Sequence, residues 1–156
     1  MKKILLPSLI VLVAIVAMSI VSAFNFGEKS PIYVKGKVRI NDELRDSLQG
    51  VSTMFVVIYD LDSPMPMPFG AMRERLSAEQ LASGSPIPFM VTKEKLQMMN
   101  PNAPMPKRMS VKVRMDKDGL GGRDQPGDLT GVISELRFGA SDVTVDVNEL
   151  VKGEKG

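Results

Sequence analysis

Apolar and polar side chains alternate along several stretches of this chain, and the alternation has the two-residue period of a half-buried strand. Ile32-Tyr33-Val34-Lys35-Gly36-Lys37-Val38-Arg39-Ile40 places Ile32, Val34, Val38 and Ile40 on one face and mostly basic residues on the other. Gly36 falls on the inward face, where a bulge or a close backbone approach is expected. Met109 to Met115 alternates more cleanly, with Met109, Val111, Val113 and Met115 inward. Thr53 to Tyr59 is nearly all apolar and rich in β-branched residues, which predicts a central strand covered on both faces. Shorter strands are predicted at Ala71–Leu76, with Met72 and Arg73 on opposite faces, and at Ile87–Val91, Thr130–Ile133 and Val143–Val147. Pro86 and Pro88 put the Ile87–Val91 strand at a sheet edge.

Punctuation between the strands is equally regular. Asn41 to Asp46 is turn chemistry with room for one helical turn. Ser77-Ala78-Glu79-Gln80 has capping-box spacing and opens a short helix reaching Leu81. Thr92 to Met99 reads as a short helix or a turn, stopped by Pro101. Asp116-Lys117-Asp118-Gly119 is a turn that Gly121-Gly122 continues. The spacing allows a hairpin across Gly139-Ala140-Ser141-Asp142. About seven short strands with frequent turns predict an all-β fold, an antiparallel β-sandwich of immunoglobulin-like type.

The first residues carry a different pattern. Lys2-Lys3 precedes twenty uncharged residues, Ile4 to Ala23, ending in the small residues Val21-Ser22-Ala23. A cleaved signal has an apolar core of about 7–15 residues, and a spanning helix needs about 20. An N-terminal apolar helix serving as signal peptide or membrane anchor is therefore expected over 1–23. A linker over 24–31, a β-sandwich over 32–151 and a disordered tail over 152–156 follow. Either fate of the leader puts the body outside the cytoplasm, in a periplasm, soluble or anchored to the inner membrane.

Composition narrows the function. Without Lys2 and Lys3, the 20 bases of the chain fall to the number of its 18 acids, so nucleic-acid binding is not expected. Cys and His are both absent, which removes disulfides, the usual general base and the commonest metal ligand. Asp116, Asp118, Asp124 and Asp128 cluster in sequence, and Asp116-x-Asp118-Gly119 superficially suggests a calcium loop, but the later ligands and terminal Glu are missing. No catalytic constellation is visible, and neither enzyme activity nor a cofactor is expected.

The unusual stretches are rich in Met and Pro. Pro64 to Pro68 holds three prolines and two methionines. It cannot be helix interior or central strand and is expected to run extended over the domain. Leu96-Gln97-Met98-Met99-Asn100-Pro101 and Ala103-Pro104-Met105-Pro106 match it in composition. Met65, Met67, Phe69, Met98, Met99 and Met105 are the candidate partner-binding residues, since an exposed Met is an adaptable apolar contact. The turn Gln125-Pro126-Gly127-Asp128 is a second candidate. An alternative use of Met65, Met67, Met98, Met99 and Met105 with Met109 is soft-metal handling, because thioethers select Cu(I).

Six pieces in order carry a resemblance: Val34-Lys35-Gly36-Lys37-Val38; Met54-Phe55-Val56-Val57; Met67-Pro68-Phe69-Gly70-Ala71; Leu96 to Pro101; Val111 to Gly119; and Gln125-Pro126-Gly127-Asp128-Leu129-Thr130-Gly131. Over these, residues 34–151 resemble the C-terminal periplasmic domain of the cytochrome c maturation subunit that presents apocytochrome to the haem ligation machinery. The resemblance implies a β-sandwich without catalytic residues, working by protein–protein contact with apocytochrome c or maturation subunits. In that family the domain follows a membrane anchor and a tetratricopeptide domain that captures apocytochrome. Here only the short linker separates Ala23 from the body, so an accessory domain without the tetratricopeptide part is expected.

Overall fold

The computed structural model describes residues 30–65 and 67–153. The leader over 1–23, with most of the following linker, lies outside them, as do residues 154–156. Within them run β1 (Ile32–Ile40), a 3-10 helix (Asp42–Leu48), β2 (Thr53–Asp60), β3 (Pro68–Arg75), α1 (Ala78–Ala82), β4 (Ile87–Thr92), β5 (Gln97–Met98), β6 (Arg108–Asp116), β7 (Leu129–Arg137), β8 (Ala140–Val147) and β9 (Glu149–Leu150). Seven strands are six to nine residues long, and β5 and β9 have two residues each.

The strands form two sheets, in the orders β4-β1-β8 and β5-β3-β2-β6-β7-β9. Val34 and Val38 of β1, Val91 of β4 and Val145 and Val147 of β8 enter the same buried cluster as Met54, Val56 and Ile58 of β2 and Val111, Val113 and Met115 of β6. The body is thus mostly β with a core shared by two sheets, consistent with a sandwich. With few aromatics, methionine fills the core: Met54, Met72, Met109 and Met115 are all buried. Tyr33 joins Phe69 and Phe89 as the aromatics of the core, its ring 5.8 Å from Phe69 and 5.1 Å from Phe138.

Local signals in the sequence became local structure. Asn41 caps the 3-10 helix by accepting the Glu43 N–H. Ser77 and Gln80 form the reciprocal capping box, with Gln80 N–H to Ser77 Oγ at 3.1 Å and Ser77 N–H to Gln80 Oε1 at 2.9 Å. Strand β4 lies at an edge, with the Pro88 ring exposed. Strand β2 is central, between β3 and β6.

Four expectations need correction. In β1 the inward register fails at its start: Ile32 is 41% exposed and Tyr33 is fully buried, because a bulge between Ile32 and Val34 shifts the pairing with β4. Of the two forms expected over 92–99, the turn is the one present: the Lys95 and Leu96 N–H groups donate to Thr92 O, and the chain continues as β5 against β3. Residues 139–142 do not close a hairpin between paired strands, since β7 belongs to the larger sheet and β8 to the smaller. The chain changes sheets at Gly139, whose φ of 82° suits glycine and whose N–H donates to Tyr33 O at 2.8 Å. Strand β8 then pairs parallel with β1, so the sandwich is not wholly antiparallel. Finally, the second face of β2 is tightly covered only at Thr53 and Phe55, and opens toward Tyr59.

Two glycines set how closely β8 can sit. A Cβ on Gly36 would run into the Val143 carbonyl, and one on Gly131 into the Asp146 carbonyl. The close approach expected at Gly36 is therefore present, against β8.

Candidate functional site

Strands β2 and β3 are joined by the Met/Pro segment, and hydrogen bonds wind that segment into tight turns. Asp60 Oδ1 accepts the Asp62 N–H at 3.0 Å, Ser63 Oγ accepts the Met65 N–H at 3.4 Å, and Met67 N–H donates to Met65 O at 2.8 Å. Residues 60–65 thus bend and do not run extended, contrary to expectation. The second Met/Pro segment leaves β5 beside it. Met99 N–H donates to Phe69 O at 3.0 Å, Asn100 Oδ1 accepts the Asn102 N–H at 3.0 Å, and Ala103 N–H donates to Asn100 O at 3.1 Å.

Together the two loops enclose a hollow of about 410 Å3. Pro64, Met65 and Met67 line it from the first loop, and Met99, Ala103 and Pro104 from the second. Phe69, largely buried, also lines it, and Asp60 and Asp62 contribute the carboxylates. Met65 is 60% exposed, Met67 51% and Met99 63%. Methionine thus divides in this protein between the core, at Met54, Met72, Met109 and Met115, and the surface, where Met90 and Met105 are exposed as well.

The candidate residues therefore divide. Met65, Met67, Phe69 and Met99 line one hollow, although twenty-nine residues of intervening chain separate Phe69 from Met99. Met105 is 53% exposed on the second loop but is not among the lining residues. Met98 is half-buried in β5 opposite Gly70 and packs against the core. Met109, a soft-metal candidate, is wholly buried in β6. Asp60, Asp62 and Asn100 line the hollow without having been singled out; their signal was position, next to the Met/Pro segments. Two other hollows, of about 570 and 620 Å3, contain none of the candidates.

Gln125-Pro126-Gly127-Asp128 lies elsewhere, on the long β6–β7 connection. Gln125 N–H donates to Asp128 Oδ2 at 2.8 Å and Asp128 N–H to Gln125 O at 3.0 Å, with Gly127 at φ 96°. Gly127 N–H donates to Val151 O and Val151 N–H to Asp128 O, both at 2.9 Å. These bonds latch the chain end near β9 onto the loop.

Under that loop sits a residue that alternation placed outside, Arg114. Its guanidinium is buried and organises the connection much as a bound cation would. Nη1 and Nη2 donate to the carbonyls of Gly122 and Leu120, each at 2.8 Å. Asp116 Oδ2 lies 3.2 Å from Nη2, Asp128 Oδ2 3.8 Å from Nε and Asp124 Oδ1 3.9 Å from Nη1. The Phe55 ring covers the group, its centroid 4.7 Å away. Burial pushes the Asp116 carboxyl up; the Gly119 N–H, donating at 2.5 Å, works against that rise. Asp118 is held below the ordinary carboxylate range, first of all by the Leu120 N–H that it accepts. Lys112 pairs with Asp124 at the margin.

Among the described residues no group of three or more acidic, Cys or His side chains is placed to hold a metal ion, and no helix is long and apolar enough to cross a membrane. Comparison with known proteins finds no matching family model, no matching curated protein and no matching solved structure.

Proposed function

We propose that this protein is an exported, non-enzymatic binding module of cytochrome c biogenesis. It docks apocytochrome c or a maturation subunit through the hollow between the β2–β3 and β5–β6 loops. One observation supports this most: two Met/Pro segments remote in sequence line one hollow, with methionines left half-exposed. Flexible, polarizable thioethers suit a contact that must accept more than one apolar shape. The six ordered motifs supply the biological context. They make the periplasm the working compartment, with residues 4–23 as signal or inner-membrane anchor. The immunoglobulin-like likeness is one of architecture. Here β2 and β3 form a hairpin within one sheet, and β8 runs parallel to β1. The test is binding of the full chain to purified apocytochrome c and maturation subunits, measured by calorimetry. Binding that is lost when Met65 and Met99 become Ser supports the proposal, and no binding to any of them refutes it.

A second reading has its own observation. Met65, Met67 and Met99 offer three thioethers to the same hollow, and thioethers favour Cu(I). Titration with Cu(I) against a competing chelator separates the two uses. Leu at all three positions removes the sulfur but keeps the apolar wall. Metal retention lost with Leu supports copper handling, and no retention by the natural chain ends it.

A further inference from the structure

We propose that the hollow selects a polypeptide segment in which an apolar side chain is flanked by Lys or Arg. The inference rests on the docking function proposed above and names its chemistry. The lining includes Asp60 and Asp62 and neither Lys nor Arg. Asp62 is answered from outside by Arg108, with Nη2 to Oδ1 at 2.8 Å. Asp60 has no ion-pair partner among the described residues, and only its Oδ1 is engaged, by the Asp62 N–H. An unanswered carboxylate beside an apolar wall in a concave site focuses negative potential there. Lys and Arg fit that combination, since their apolar stems lie along methionine while the charged head reaches the carboxylate.

Size and charge set the occupant further. A volume of about 410 Å3 falls in the lower part of the range of about 300–1,000 Å3 usual for ligand cavities. It suits the side chains of a short segment. The methionine walls tolerate different apolar groups, so charge supplies the discrimination, acting on specificity more than on affinity. An acidic neighbour on the segment would meet Asp60 as a like charge. Arg108 acts as a positioning residue, holding Asp62 neutralised and leaving Asp60 as the discriminating group.

The experiment uses the full chain and three short fluorescein-labelled peptides, followed by anisotropy. One carries a single Phe flanked by Lys, one has Glu in place of each Lys, and one keeps Lys but has Ser for Phe. The Lys/Phe peptide is expected to bind about five- to tenfold better than the Glu/Phe peptide at low salt, and better than the Ser peptide. High salt narrows the first ratio and leaves the second in place. Asp60→Asn keeps the Oδ1 acceptor for the loop and is expected to narrow the charge preference about two- to fivefold. Arg108→Gln frees Asp62 and is expected to widen it. Equal binding of the Lys and Glu peptides, or a preference unchanged in Asp60→Asn, overturns the proposal. If the peptides bind equally but Met65→Ser with Met99→Ser abolishes both, docking at the hollow stands while charge selection fails. If no peptide binds, neither stands for this hollow.

Discussion

Replacing Arg114 with Met tests whether a buried guanidinium organises the β6–β7 connection. The substitution keeps an apolar stem against Phe55 and removes the charge and five donors. The carbonyls of Leu120 and Gly122 lose their 2.8 Å donors, and the buried Asp116 and Asp128 lose their cation. Each charge-assisted hydrogen bond contributes about 1.5–3 kcal/mol, and water entering the loop returns part of that. Breaking a buried pair from one side typically costs about 3–5 kcal/mol, which is the loss expected here. The loss should also depend on pH. Burial already raises the Asp116 carboxyl above its unfolded value, and losing Arg114 raises it further. A raised carboxyl favours the folded state below the unfolded pKa of about 3.9, and that contribution is lost as pH rises through the folded value. The variant should therefore close part of its deficit against the natural protein on going from about pH 7 to about pH 4.5, by about 1.4 kcal/mol for each unit of added shift. Adding Asp116→Asn and Asp128→Asn keeps an oxygen acceptor for the Gly119 and Gln125 N–H groups, and should restore more than half of the loss at neutral pH. Urea denaturation of the full chain at the two pH values measures all three effects. A deficit under about 1 kcal/mol at neutral pH, or one that does not change with pH, refutes the mechanism.

Three further outcomes are expected. Gly131→Ala should lose about 1–3 kcal/mol or more, because its Cβ collides with the Asp146 backbone, whereas Gly121→Ala, with nothing within 4 Å, should stay within about 0.5 kcal/mol by the same urea assay. Met115→Ala should lose about 2–5 kcal/mol, while Met65→Ala should stay within about 0.5 kcal/mol and weaken only binding, as read by thermal unfolding beside anisotropy. Ser77→Ala should remove one half of the capping box and lose about 1 kcal/mol, visible as a lowered urea midpoint with an unchanged slope.

Much of the strand content was legible because it depends on neighbours in the chain. The alternation Met109-Val111-Val113-Met115 settles which face of β6 is buried wherever that strand lies, since successive side chains point to opposite faces. Ser77 with Gln80, and Pro88 at an edge, are likewise matters of a few residues. The Met/Pro segments stood out by composition before any fold was in view.

What required the tertiary structure was everything set by distant parts of the chain. A bulge at the start of β1 exchanges Ile32 for Tyr33 in the core, and a one-residue shift in register is enough to do so. Nothing near Gly139 says that β8 will leave the sheet of β7 for a parallel place beside β1; that choice rests on the backbone fit at Gly36 and Gly131. Arg114 reads as an exposed position because alternation assigns a face but does not say whether a loop will return to cover it. The hollow is of the same kind: Met65, Met67 and Phe69 came to share its wall with Met99 and Pro104 only when β5 paired with β3 and brought the two loops together. Side-chain periodicity is a short-range property that the sequence alone carries, whereas strand partnership is decided by which backbone edges and side-chain volumes can pack in three dimensions.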